Sequence, residues 1–308
     1  MINIAWGAMA ARVPPAPVRA EFKGAIMAYR RLVPAALCAA MGVLCLTSCS
    51  SGPGAPQPGT PAFYWEAAGG TWKSGDYVKT LDHLSHLTAD QNEFTARARP
   101  WEIVVASGLA RGYADLNDAC ESGIKKTPAR AIPIRRQMSA WRANANSIAL
   151  ELAETFQKFS AANKQSSIPL DFTWPPVGNA AVPAQRERFA TGAPVSAADV
   201  ETLELATIQR GVILALARAT GAGEDAAKAQ ELFRQPRPAV ATETFMVGMG
   251  QALYDLSSLY GPRKLDSPNR HDMLVTLATN ALKPYPKNED AAALLAKIEK
   301  EAKAKGKK

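Results

Sequence analysis

An all-α fold is expected for this chain, with helical hairpins on either side of a long Pro-rich insert. Three observations predict it. Between residues 133 and 162, Ile134, Met138, Trp141, Ala145, Ile148, Leu152, Phe156 and Phe159 recur at steps of three and four. That spacing puts them on one face of a helix, whereas a strand would repeat every second residue. Strand-type alternation is nearly absent elsewhere, while Ala, Leu, Glu, Lys and Arg, all strong helix formers, are plentiful. Finally, Pro169, Pro175, Pro176, Pro183 and Pro194 fall in one stretch without periodicity, residues 163–195. This reads as an extended connection between a helical half at 63–162 and another at 196–304.

Residues 1–48 stand apart from the fold. Arg30 and Arg31 precede an apolar run from Leu32 to Leu46, and Leu46-Thr47-Ser48-Cys49 follows. A basic segment, a short apolar segment and small residues before a cut are the marks of an export signal. The run has 15 residues, short of the ~20 that a membrane-spanning helix needs. A start at Met27 gives a signal of usual length and leaves Met1–Lys23 as an extension. The tetrapeptide resembles the lipobox of bacterial lipoproteins. That resemblance implies cleavage between Ser48 and Cys49, acylation of the Cys49 thiol with two or three chains, and tethering to the lipid bilayer of the bacterial envelope. Ser50, in place of an aspartate at the second mature position, implies the periplasmic face of the outer membrane.

Residues 49–62 are a Pro/Gly/Ser linker, too poor in apolar side chains to form a core and suited to holding a globular body off the membrane. The net charge of +8 is unevenly placed. Half of the excess lies in residues 1–48 and half in Lys297–Lys308, whose end at 305–308 forms a basic tail. The body between is near neutral, so nothing there predicts a nucleic-acid-binding face. Of the four cysteines, Cys38 and Cys45 fall in the signal and Cys49 at its end. Cys120 alone remains in the body, so no internal disulfide and no cysteine metal cluster is expected; it reads as a buried structural thiol.

Within the body, Leu205, Ile208, Val212, Ala215 and Ala219 mark a helix near 197–220, opened by a Ser196/Asp199 capping pair and closed by Gly221 and Gly223. Glu224–Gln235 is expected to be the next helix. Phe245, Met249, Ala252, Leu256 and Leu259 mark another near 242–260. Two places resemble tetratricopeptide repeats. From Tyr64 to Leu87, Gly75-Asp76-Tyr77 matches the turn between paired helices, with Trp65, Ala68 and Trp72 before it and Thr80, Leu81, Leu84 and Leu87 after it. From Leu274 to Ile298, Ala281-Leu282 and Pro286 match the end of a unit. Gly221–Phe233 is a degenerate third. The resemblance covers about half of the body and implies an irregular TPR-like solenoid in which stacked units share one core. The overall plan is also similar, in architecture only, to the helical lipoprotein component of some TRAP transporters.

Sites of chemistry are sparse. His83 and His86, one helical turn apart between Asp82 and Asp90, lack a third strong ligand nearby, so no metal site is assigned. Glu151/Glu154 and Glu201/Glu204 each share a helix face but read as solvated pairs. Gly248-Met249-Gly250 has no preceding strand and reads as close helix packing. No catalytic residue and no cofactor is assigned. Leu170-Asp171-Phe172-Thr173-Trp174 is apolar enough to pack down, and Phe172 and Trp174 are the candidate residues of a groove or pocket. The expected function is a non-enzymatic, membrane-anchored scaffold binding an envelope protein or peptide. The alternative is a periplasmic small-molecule binder assisting a transporter. An open apolar groove favours the first, an enclosed pocket with convergent polar groups the second.

Overall fold

The computed structural model describes residues 56–176, 182–194, 196–262 and 264–305. Ser48, Cys49, the signal and the last basic residues lie outside them. The fold is all-α, as expected: ten α-helices and one two-stranded sheet among the described residues. These described residues cluster as one compact unit.

Local chemistry sets the first hairpin. Helix α1, Pro61–Ser74, starts at Thr60, whose hydroxyl accepts from the Phe63 amide at 3.3 Å, with proline at the first helical position where no N–H is needed. It ends at Gly75, in the left-handed region at φ 77°. Asp76 then caps α2, Tyr77–Ala89, by accepting from the Lys79 amide at 3.1 Å. The turn read from Gly75-Asp76-Tyr77 is therefore observed, with Ala68 and Trp72 of α1 and Thr80, Leu81, Leu84 and Leu87 of α2 buried.

Helix α3, Thr95–Lys126, is the centre of the molecule. Every residue from Trp101 to Ala110 is buried, which means neighbours on all sides. A short turn through Pro128–Arg130 sends α4, Ala131–Ala162, back along it, so that Thr155 meets Glu102 at one end and Arg142 meets Glu121 at the other. Helix α6, Ala197–Ala219, also runs antiparallel to α3: Gly108 lies against Val212 and Gly112 against Ile208. These glycines allow backbone-on-backbone contact that any side chain would block. The Ser196/Asp199 capping box is present, with both bonds at 3.1 Å.

Beyond α6 come α7, Ala226–Leu232, and α8, Thr242–Ser257, followed by one 3₁₀ turn to Tyr260. Gly248 presses on the Arg218 carbonyl and Gly250 on Leu282, so this glycine pair serves helix packing. Helices α9, Pro268–Leu282, and α10, Glu289–Lys305, form a closing hairpin. Helices α3 and α4 have 32 residues each, so a helix-turn-helix period does not run through the middle of the chain.

The connection expected to be extended throughout 163–195 is in part helical. Val182–Ala190 forms α5, a helix too short to leave a readable period; Phe189 anchors it by burying its ring 5.8 Å from Trp141. Earlier in the connection, β1, Ser167–Pro169, pairs antiparallel with β2, Ala239–Ala241. Ile168 and Val240 are buried opposite each other, which ties the connection to the start of α8. No helix of the described residues is long and apolar enough to cross a membrane.

Candidate functional site

Phe172 and Trp174, the candidates from the sequence, point to different places. Phe172 is buried in an aromatic cluster, its ring centroid 4.7 Å from Trp101, 5.2 Å from Trp65 and 5.7 Å from Trp72. Trp174 packs instead on Phe233, just beyond α7, at 5.4 Å. The strand-like spacing of Leu170, Phe172 and Trp174 hid this, because the backbone bends at Phe172. The Trp72 indole donates to the Thr173 carbonyl at 2.7 Å, and the Gln209 amide donates to the Pro176 carbonyl.

Beside Phe172 lies a groove of about 500 Å³, open to solvent, between α1, the first turns of α3 and residues 171–173. Its floor is aromatic: Trp65, Trp72 and Phe172. Its rim is charged: Glu66, Lys73, Arg97 and Asp171. Arg97 donates through two nitrogens to Asp171, at 3.1 and 2.7 Å, and its guanidinium sits 4.7 Å above the Trp65 ring. That fork locks the rim in one geometry.

Gly69 and Gly70 also line this groove, in the interior of α1. Glycine inside a helix is unfavourable by about 1 kcal/mol relative to alanine. Elsewhere in this fold helical glycines are explained by a crowding neighbour. At Gly70 an added Cβ would meet nothing within 4 Å, and at Gly69 only Phe172 at an ordinary 3.9 Å. Among the described residues, nothing crowds these two glycines. Sequence reading passed over them because a glycine pair in an Ala-rich helix looks the same whether it faces a neighbour or a groove.

Another cleft, about 530 Å³, lies where α3, α6, α8 and α10 meet. Its charges answer one another. Arg218 bridges Asp255 at 2.8 Å and Glu224 at 2.9 Å, Lys264 reaches Asp118 at 3.0 Å, and the Tyr254 hydroxyl donates to Glu301 at 2.8 Å. These contacts read as a clasp between helices.

The other sequence candidates are placed as follows. His86 stacks on Tyr64 at 4.4 Å and His83 tilts against the same ring at 6.1 Å. Among the described residues, no group of three His, Cys, Asp or Glu side chains is arranged to hold a metal ion. Cys120 is buried, and burial pushes its thiol up to about 12, which keeps it protonated and unreactive. Glu204 accepts from the Trp141 indole at 2.9 Å, while Glu154 pairs with Lys158 at 2.7 Å.

Glu102 was not singled out by the sequence. It is 3% exposed near the start of α3, with Thr88 and Thr155 donating to its two oxygens at 2.6 and 2.9 Å. Burial raises its pKa against the opposing effect of those hydroxyls. Glu151, on the next helix, is pushed up to about 7 from 4.5, by burial first and then by Glu102, Asp82 and Glu154. The folded state thus favours a protonated Glu151. That contribution is complete below pH 4.5 and is lost as pH rises through about 7. Glu151→Gln is therefore expected to raise the melting temperature at pH 8 and to leave it almost unchanged at pH 4. An equal effect at both pH values would refute the assignment.

Compared with known proteins, the chain matches no protein-family model, no curated protein and no solved structure.

Proposed function

We propose that this chain is a lipid-tethered protein of the bacterial envelope, non-enzymatic, whose helical body holds an extended segment of a partner protein in the groove beside α1. The observation that carries the reading is the pair Gly69 and Gly70. A helix keeps two unfavourable residues side by side, next to an aromatic floor, where no described residue crowds them. Bare helix backbone lets another backbone approach closely, while Trp65 and Phe172 offer a flat apolar surface to a side chain. Lys73, Arg97, Glu66 and Asp171 supply both signs of charge around it, suited to the polar backbone of an extended peptide. The groove is open, which supports a macromolecular partner over an enclosed small molecule. The Leu46–Cys49 tetrapeptide supports the tether, and the 49–62 linker would give the body reach from the membrane.

A photo-crosslinking amino acid at the exposed Lys73 position, in cells making the full chain, tests both parts. One dominant protein adduct is expected in the membrane fraction. It should vanish in Gly70→Trp, which fills the groove from an open position without disturbing the core. Cys49→Ala should move the protein out of the membrane fraction. An adduct indifferent to Gly70→Trp would end the groove reading, and normal membrane tethering of Cys49→Ala would end the lipoprotein reading.

A further inference from the structure

Two residues along a helix turn a side chain by about 200°, so Arg97 and Arg99 leave α3 on opposite sides. Arg97 stands on the rim of the α1 groove. Arg99 lines a separate cavity of about 280 Å³ between the start of α3 and the end of α4. Its Nε is fully buried with no hydrogen-bond partner, and among the described residues it makes no ion pair. A guanidinium with an unanswered buried nitrogen is costly to keep unless something meets its charge. Glu102, three residues further along α3, shares a charge interaction with it, but the Glu102 oxygens accept from threonine hydroxyls and, among the described residues, from no nitrogen of Arg99. No Asp or Glu lines the cavity. The other cation there, Lys164, is likewise without an ion pair among the described residues. Asn163 accepts from the Gln165 amide at 3.2 Å through its oxygen, which leaves its NH₂ group available as a donor. Of the remaining wall, Phe159, Ala162 and Ala96 are apolar, while Gln91, Thr95 and Gln165 are polar and uncharged.

From this we infer that the Arg99–Lys164 cavity binds the carboxylate of a small organic acid, with the guanidinium and ammonium on the carboxylate and Phe159 against a short apolar tail. Arginine presents a planar fork that matches a carboxylate, and a cavity of this size admits a few carbon atoms beyond it. The first helical turn of α3, which carries no acidic residue, adds amide dipoles of the same sign. The inference is independent of the α1 groove and survives if that reading fails.

The test is calorimetric and NMR titration of the full chain with butyrate, butylammonium and inorganic phosphate. Butyrate is expected to saturate and butylammonium to show no binding. Arg99→Gln should weaken butyrate by at least about tenfold. Because Arg99 also supports the Glu102 charge, Lys164→Ala serves as the second variant. It is exposed, should leave the melting temperature unchanged, and should weaken butyrate by about threefold. Failure of butyrate to saturate, equal affinity in both variants, or tighter binding of phosphate than of butyrate would overturn the assignment.

Discussion

Gly211→Ala is expected to lower the stability of this protein by about 3 kcal/mol, the upper part of the range for forcing extra atoms into a packed interior. A Cβ at Gly211 would run into the Gly108 carbonyl and come within 3.0 Å of the Gly112 nitrogen. These are backbone atoms of the central helix, and they cannot rotate away as a side chain would. In the other direction, a Cβ added at Gly112 of α3 would lie 2.8 Å from Ile208 Cα of α6. The contact is therefore mutual, and relief would require α3 and α6 to separate along their shared length. The gain in helix propensity, about 1 kcal/mol, opposes this without reversing it. Melting should fall by roughly 6–12 °C for a domain of this size. The same substitution at Gly70, where the added atom meets nothing, should instead raise stability by up to about 1 kcal/mol. Thermal or urea denaturation of the two variants side by side checks both signs. An unchanged midpoint for Gly211→Ala would mean that α3 and α6 do not touch backbone to backbone.

Phe172→Ala is the second large effect, expected at about 4 kcal/mol, as for other buried aromatics truncated to alanine. The ring is 7% exposed and touches three tryptophans, two on α1 and one on α3. Its loss would leave a cavity with indoles on most sides, which rigid rings fill poorly by shifting. Neighbouring contacts then lose their alignment: the Trp72 indole bond to Thr173 and the Arg97–Asp171 pair both depend on where residues 171–173 sit. The exposed ion pair contributes little by itself, so the apolar term dominates. A fall in melting temperature of roughly 10 °C, with a red shift of tryptophan emission in the folded state, is the expected result. Retention of the wild-type emission spectrum would show that Phe172 does not shield the indoles. Trp174→Ala, which removes a partly exposed ring whose aromatic contact is Phe233, should cost distinctly less.

Much of the helical plan was legible because it depends on periodicity and end signals. The stripe from Ile134 to Phe159 needed only residue spacing, and α4 covers it. Thr60, Gly75, Asp76 and Ser196 act within three or four residues, so their caps could be read from neighbours alone. Helix α3 gave a weaker signal because it is buried on every side from Trp101 to Ala110 and shows no polar face to set the period. Helix α5 is only nine residues long, and its one buried anchor makes no pattern.

The candidate sites were hardly legible at all. Glycines at 70, 108, 211 and 248 look alike in a sequence, and only the distance to another helix separates an open groove from a backbone contact. Arg97 and Arg99 differ by two places, yet one forms a bidentate pair with Asp171, distant in sequence, and the other feels the charge of Glu102 with its buried Nε left without a hydrogen bond. Glu102 reads as a surface residue until Thr88 and Thr155 close over it from two other helices. By itself the sequence determined the helical class, the caps and the stripes, because those arise from interactions over one or two turns. Which faces touch, which glycines are crowded and which charges stay unanswered were decided only by tertiary structure, because each depends on atoms brought together from far apart along the chain.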